Sequence, residues 1–132
     1  MERLITTNVY SVKGDVVISG ACLQQVDPAS FNKLTKGADQ VYSVCLEESH
    51  INMIVTKISA ILATGQVTSM KFISVDRSPH CTQLHYIKHE VERTLKEHCP
   101  ISDYVVLNGE ITEVSDEAVD MSKSLGKLGK IY

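Results

Sequence analysis

Residues 15–22, DVVISGAC, form an unbroken apolar run rich in β-branched side chains, the pattern of a strand covered on both faces. The pattern then changes period. Asp27 reads as an N-cap and Pro28 as the first residue of a helix through ASFNKLTK, which Gly37 ends. DQVYSVC (39–45) predicts the next strand, and INMIVTKISAILATG the next helix, capped by Ser49 and closed by Gly65. A third cycle follows, with a strand at SMKFISVD (69–76), a cap at Ser78 and Pro79 opening a long helix through HCTQLHYIKHEVERTLKEH. The core face of that helix is drawn through Leu84, Ile87, Val91 and Leu95, which leaves His85 at its flank and His89 near solvent. DYVVLNGEITEV (103–114) predicts a strand turning at Asn108-Gly109, and SDEAVDMSKSLGKL a closing helix. Near the N-terminus, LITTNVYSV reads as a strand before the turn KGD. Strands alternating with helices specify an α/β fold: one domain over 1–132, three-layered, with a mainly parallel sheet of four to five strands and helices on both faces.

Composition narrows the classes of partner. A chain of 132 residues with 43% hydrophobic and 22% charged residues can bury a core of its own. A net charge of -3, with Lys and Arg scattered, gives no track for a nucleic-acid backbone or an anionic membrane surface. No apolar run reaches the length of a membrane span, and MERLITTNVY lacks the layout of a secretion signal. Four cysteines without close pairing fit a reducing compartment, so a cytoplasmic location is expected.

The predicted architecture sorts those cysteines. In open α/β sheets the loops leaving the carboxyl ends of the strands emerge on one edge, where sites form. Taken in turn, those loops carry Cys22, then Cys45 with His50, then Asp76, Arg77, Ser78, Pro79, His80 and Cys81, then Asn108, Gly109 and Glu110. Cys99 falls on the opposite edge, at the far end of a helix. Thiolates and imidazoles together suit zinc, ferrous iron and iron–sulfur clusters, and ligands from separate loops need no short regular spacing. Cys81, third in its helix, lies where the helix dipole favours a thiolate, and His50 at a helix start suits a neutral-imidazole ligand. For any one cysteine, burial at a strand end for packing alone is the ordinary alternative.

The same residues allow covalent chemistry. Cys81 has His80, His85 or His50 as candidate base and Asp76 as candidate orienter, and the spacing does not choose among the histidines. His85 and His89 could clamp a metal from one helix surface, although a solvated face is the blander account. DRSPHC could offer backbone N–H groups to an anion, but GxGxxG and the P-loop are both absent, so nucleotide binding is not expected.

CLQQVDPASFNKLTKGADQVYSVCLEESH, about residues 22–50, resembles the small iron–sulfur delta subunit of methyl-viologen-reducing hydrogenase. Cys22 stands before Val26-Asp27-Pro28 at the spacing of that family, and Gly37-Ala38-Asp39 matches its GAD element. Cys45 follows the strand one residue early, and His50 stands where the family has its last cysteine. The paired-cysteine motif that ends the family's first strand is absent, and Cys81 with His80 could replace the missing ligands. The resemblance implies a small α/β domain holding a [2Fe–2S] cluster and passing electrons toward a redox partner in an anaerobe.

The expectation is therefore a cytoplasmic, redox-linked domain that binds an iron–sulfur cluster or other soft metal through Cys22, Cys45, His50 and Cys81. His80 is a reserve ligand, and Asp76 and Arg77 are the supporting residues. Its partner would be a redox protein or a second copy of the chain, with no nucleic acid and no membrane. The alternatives are a thiol-dependent enzyme with Cys81 as nucleophile, and a metal-free interaction domain of the same fold.

Overall fold

The computed structural model describes residues 1–132. Its centre is the strand Gly14–Gly20 (β2), where the apolar run predicted two-sided burial. Val16 and Ile18 are buried in one cluster and Val17 in another, on opposite faces of the sheet. Around it stand a two-residue edge strand Glu2–Arg3 (β1), Gln40–Val44 (β3), Val67–Val75 (β4), Ile101–Leu107 (β5) and Glu110–Glu113 (β6). The strands lie in the order β1-β3-β2-β4-β5-β6, parallel throughout except for the β5–β6 pair. The sheet thus has six strands where the sequence suggested four to five. One is the short edge strand, and another comes from the split of 103–114 at Asn108-Gly109. Both turn residues take left-handed backbone, φ 50° and 80°, as a two-residue hairpin requires.

The helices follow in chain order as Leu23–Val26 (α1), Pro28–Thr35 (α2), Ile51–Ala63 (α3), Pro79–Thr94 (α4), Asp116–Ser122 (α5) and Leu125–Ile131 (α6). Asp27 caps α2 by accepting a hydrogen bond from the Ser30 backbone N–H at 3.0 Å, with Pro28 in the first turn. α3 and α4 pack on one face through Ile54, Ile58, Ile61, Leu84, Ile87 and Val91, against Ile18, Met70 and Phe72. α1 and α2 cover the other face with Leu23, Phe31 and Leu34 against Val17, Ile73 and Val106. Truncating one of the fully enclosed isoleucines to alanine costs about 2–5 kcal/mol in such a core.

The N-terminal segment departs from expectation. LITTNVYSV forms two single 3-10 turns, Leu4–Thr6 and Val9–Ser11, rather than a strand. The Thr7 hydroxyl bonds back to the Arg3 carbonyl and Asn8 caps the second turn, so local side-chain bonds replace a ladder. Leu4 and Val12 still reach the core. The closing helix is also divided, at Lys123-Ser124, into α5 and α6. No helix is long and apolar enough to cross a membrane.

Candidate functional site

β3 lies on one side of β2 and β4 on the other, so the order in which strands are added to the sheet reverses between β2 and β4, although the two run parallel. Ligands of open α/β sheets bind at such a switch point, beyond the carboxyl ends of the strands. A cavity of about 160 Å³ occupies that place. Its walls come from three junctions: Gly20 to Leu23 after β2, Val44 to Glu47 after β3, and, between β4 and α4, Ser74 with Val75 and Ser78 to Cys81. Gly20 keeps it open. A Cβ there would meet the Ser74 Cβ at 3.5 Å, ordinary contact, so the missing side chain leaves space rather than relieving a clash.

The sequence placed Cys22, Cys45, Cys81 and His80 on one edge, and all four line this cavity. Cys22 is exposed, Cys45 half-buried and Cys81 buried; all are free thiols. His80 Nδ1 faces Glu47 Oε1 at 3.8 Å. The other candidates lie elsewhere. His50 is exposed at the N-cap of α3, in the position expected for Ser49, and makes no side-chain cap bond. Asp76 Oδ1 accepts the Arg77 backbone N–H at 2.8 Å, which closes a turn where Arg77 takes φ 68°. Cys99 follows α4, away from the cavity, and burial raises its thiol pKa. No group of three or more His, Cys, Asp or Glu side chains is arranged to hold a metal ion.

What lies beneath the cavity was only partly legible. Ser78 caps α4 by accepting from the His80 N–H, and Pro79 opens it, so Cys81 falls in its first turn. His85 is one turn further on. It is not at the flank: only 2% of it is exposed. Its Nδ1 lies 2.6 Å from Asp103 Oδ1, and its Nε2 lies 2.8 Å from Ser74 Oγ. Ser74 Oγ is also 2.8 Å from Cys81 Sγ. The result is one unbroken buried chain, Asp103–His85–Ser74–Cys81, ending at the cavity wall.

Two strands supply its polar members by register. Phe72 pairs with Asp103, so Asp103 shares the α4-facing side of the sheet with Met70, Phe72 and Ser74. A serine and an aspartate on the covered face of two strands each need a buried partner. That parity is the sequence signal that could have found Ser74 and Asp103.

The chain can be polarised in two self-consistent ways. With neutral His85, Nδ1–H donates to Asp103, Nε2 accepts from the Ser74 hydroxyl, and Ser74 Oγ accepts from the Cys81 thiol. If each proton moves one step along, His85 becomes an imidazolium donating to Ser74, which donates to a Cys81 thiolate. Burial opposes the charge on His85, but the hydrogen bond to Asp103 and the nearby Asp103 and Cys81 side chains outweigh it, raising its pKa from 6.5 to about 9. Asp103 Oδ2 is enclosed without a partner, so the carboxylate rests on His85 alone.

A family model described as a Rossmann-like domain matches residues 11–129. No curated protein and no solved structure matches the chain.

Proposed function

The chain belongs to the Rossmann-like domain family, and from that premise we propose that it performs thiol chemistry at the switch point, with Cys81 as nucleophile. The observation that carries this is the buried chain from Asp103 through His85 and Ser74 to Cys81. Cys81 attacks as a thiolate whose proton has passed through Ser74 to His85, and Asp103 orients the ring and stabilises the imidazolium that holds it. The ligand is small. A cavity of about 150 Å³ holds a molecule the size of benzene, and the walls here are mostly apolar, with Glu47, Ser78 and His80 as polar contacts.

Timed alkylation of the reduced protein with iodoacetamide, resolved by peptide mass spectrometry, tests the assignment. Cys81 should react faster than its burial alone would allow, and His85→Gln should slow it about 100-fold, the scale of general-base assistance. A Cys81 that is inert in the folded protein, or unaffected by His85→Gln, overturns it.

The shared cavity of Cys22, Cys45 and Cys81 supports a second reading, which starts from the hydrogenase delta-subunit resemblance and takes His80, the reserve ligand, in place of His50, which is not among the cavity residues. Here the three thiolates and the imidazole, which are not gathered into a metal-binding group in this structure, would draw together around an iron–sulfur cluster or other soft metal, and the domain would pass electrons to a redox protein. Anaerobic reconstitution with iron and sulfide tests it by bound metal and visible absorbance, both of which must fall when Cys22 or Cys45 is replaced by Ser.

A further inference from the structure

We propose that Cys22 is the partner thiol of Cys81, and that the pair reduces a small disulfide bound in the cavity. The inference rests on Cys81 being the nucleophile and adds the second thiol and the substrate class.

Topology selects Cys22 from the other cysteines. β2 is the immediate neighbour of β4, whereas β3 is one strand further away, and adjacent strands are about 4.8 Å apart. Cys22 follows β2 and Cys45 follows β3. Gly20, two residues before Cys22, lies against Ser74, with a built Cβ 3.5 Å from the Ser74 Cβ. Ser74 Oγ in turn touches Cys81 Sγ at 2.8 Å. The chain therefore passes Ser74, the hydrogen-bond partner of Cys81, two residues before it reaches Cys22, and both cysteines line the same cavity. Their exposure differs in the useful sense: Cys81 is buried at the end of the proton relay, and Cys22 is exposed where a second exchange can reach it.

The chemistry balances without another reagent. The Cys81 thiolate, its proton passed through Ser74 to His85, attacks one sulfur of R–S–S–R′. A Cys81–S–S–R bond forms, and R′–S⁻ leaves and takes the proton from His85. The Cys22 thiolate, its proton lost to solvent, then attacks the Cys81 sulfur. The Cys22–Cys81 disulfide forms, and R–S⁻ leaves and takes up a proton from solvent. The substrate gains two electrons and becomes two thiols; the protein dithiol is oxidised to one disulfide.

The test mixes the reduced full chain with bis(2-hydroxyethyl) disulfide under anaerobic conditions, quenches with acid and N-ethylmaleimide, and maps linked peptides by mass spectrometry. A Cys22–Cys81 peptide and two equivalents of 2-mercaptoethanol per chain are expected. Cys22→Ser and Cys22→Ala should each stop at a mixed disulfide on Cys81 with one equivalent released, and Cys99→Ser should behave as the parent. A disulfide joining other cysteines, or two equivalents released by both Cys22 variants, overturns the proposal. A reactive Cys81 that forms only the mixed disulfide in the parent overturns the pairing while leaving Cys81 as nucleophile. An unreactive Cys81 overturns both.

Discussion

His85 Nδ1 and Asp103 Oδ1 are 2.6 Å apart in a part of the core where neither residue is more than 2% exposed. A hydrogen bond to a charged group in such surroundings contributes about 1.5–3 kcal/mol, and removing one partner strands the other. The pair is therefore a stability element as well as the anchor of the relay, and the two roles can be separated by substitution.

Asp103→Asn keeps the shape and removes the charge. Stability should fall by about 2 kcal/mol, the scale of a charge-assisted bond. Alkylation of Cys81 should slow by far more than that loss of stability explains, because an amide no longer favours the imidazolium. Urea unfolding and timed labelling on the same sample check both. Equal stability in Asp103→Asn and parent would show that the carboxylate is not charged against His85.

His85 also makes stability depend on pH, with a definite sign. Its folded pKa, about 9, lies above the unfolded 6.5. Below pH 6.5 both states bind the proton and the contribution is complete; as pH rises through the folded value it is lost. The gap corresponds to about 3 kcal/mol. Urea midpoints should fall steadily between pH 6.5 and 9, and His85→Gln should flatten the profile over that window. A parent profile that is level there contradicts the raised imidazole.

The frame of the fold was legible because its signals are local. Asp27-Pro28 and Ser78-Pro79 open α2 and α4, Gly37 and Gly65 turn left-handed after α2 and α3, and Asn108-Gly109 makes the hairpin. The edge bearing Cys22, Cys45, His80 and Cys81 followed from strand–helix alternation alone. The relay did not, because its members are 74, 81, 85 and 103 along the chain and meet only through the register of β4 with β5 and the rotation of α4. His85 looked peripheral for a related reason. A helix wheel ranks faces by hydrophobicity, and an imidazole buried against an aspartate is invisible to that ranking. LITTNVYSV failed for the opposite cause, since Thr7 and Asn8 bond to nearby backbone and outcompete strand pairing.

Gly20 provides a handle on the cavity that leaves the relay in place. Its backbone is not left-handed, and a Cβ would sit in ordinary contact with Ser74. Gly20→Ala should therefore fold with stability within about 1 kcal/mol of the parent. Gly20→Val should occupy the space above Ser74 and slow iodoacetamide at Cys81 at least about tenfold, a change of about 1.4 kcal/mol in barrier. Its near-ultraviolet circular dichroism should stay close to that of the parent. Unchanged labelling in Gly20→Val would mean that reagents reach Cys81 by another route.

Ser74 decides whether the chain carries protons or only fills the core. Ser74→Ala leaves His85 Nε2 and Cys81 Sγ without their common partner, at a cost of about 1–3 kcal/mol. Lost stability alone would fit either role. Ser74→Thr separates them, because threonine keeps the hydroxyl that both partners use. If Ser74 relays the proton, Ser74→Ala should slow Cys81 alkylation and change its pH dependence, and Ser74→Thr should restore both. If Ser74 only packs, Ala should be as reactive as the parent once compared at equal folded fraction. The measurement is the pH–rate profile of the three proteins across the region near pH 9, where His85 of the folded protein changes charge.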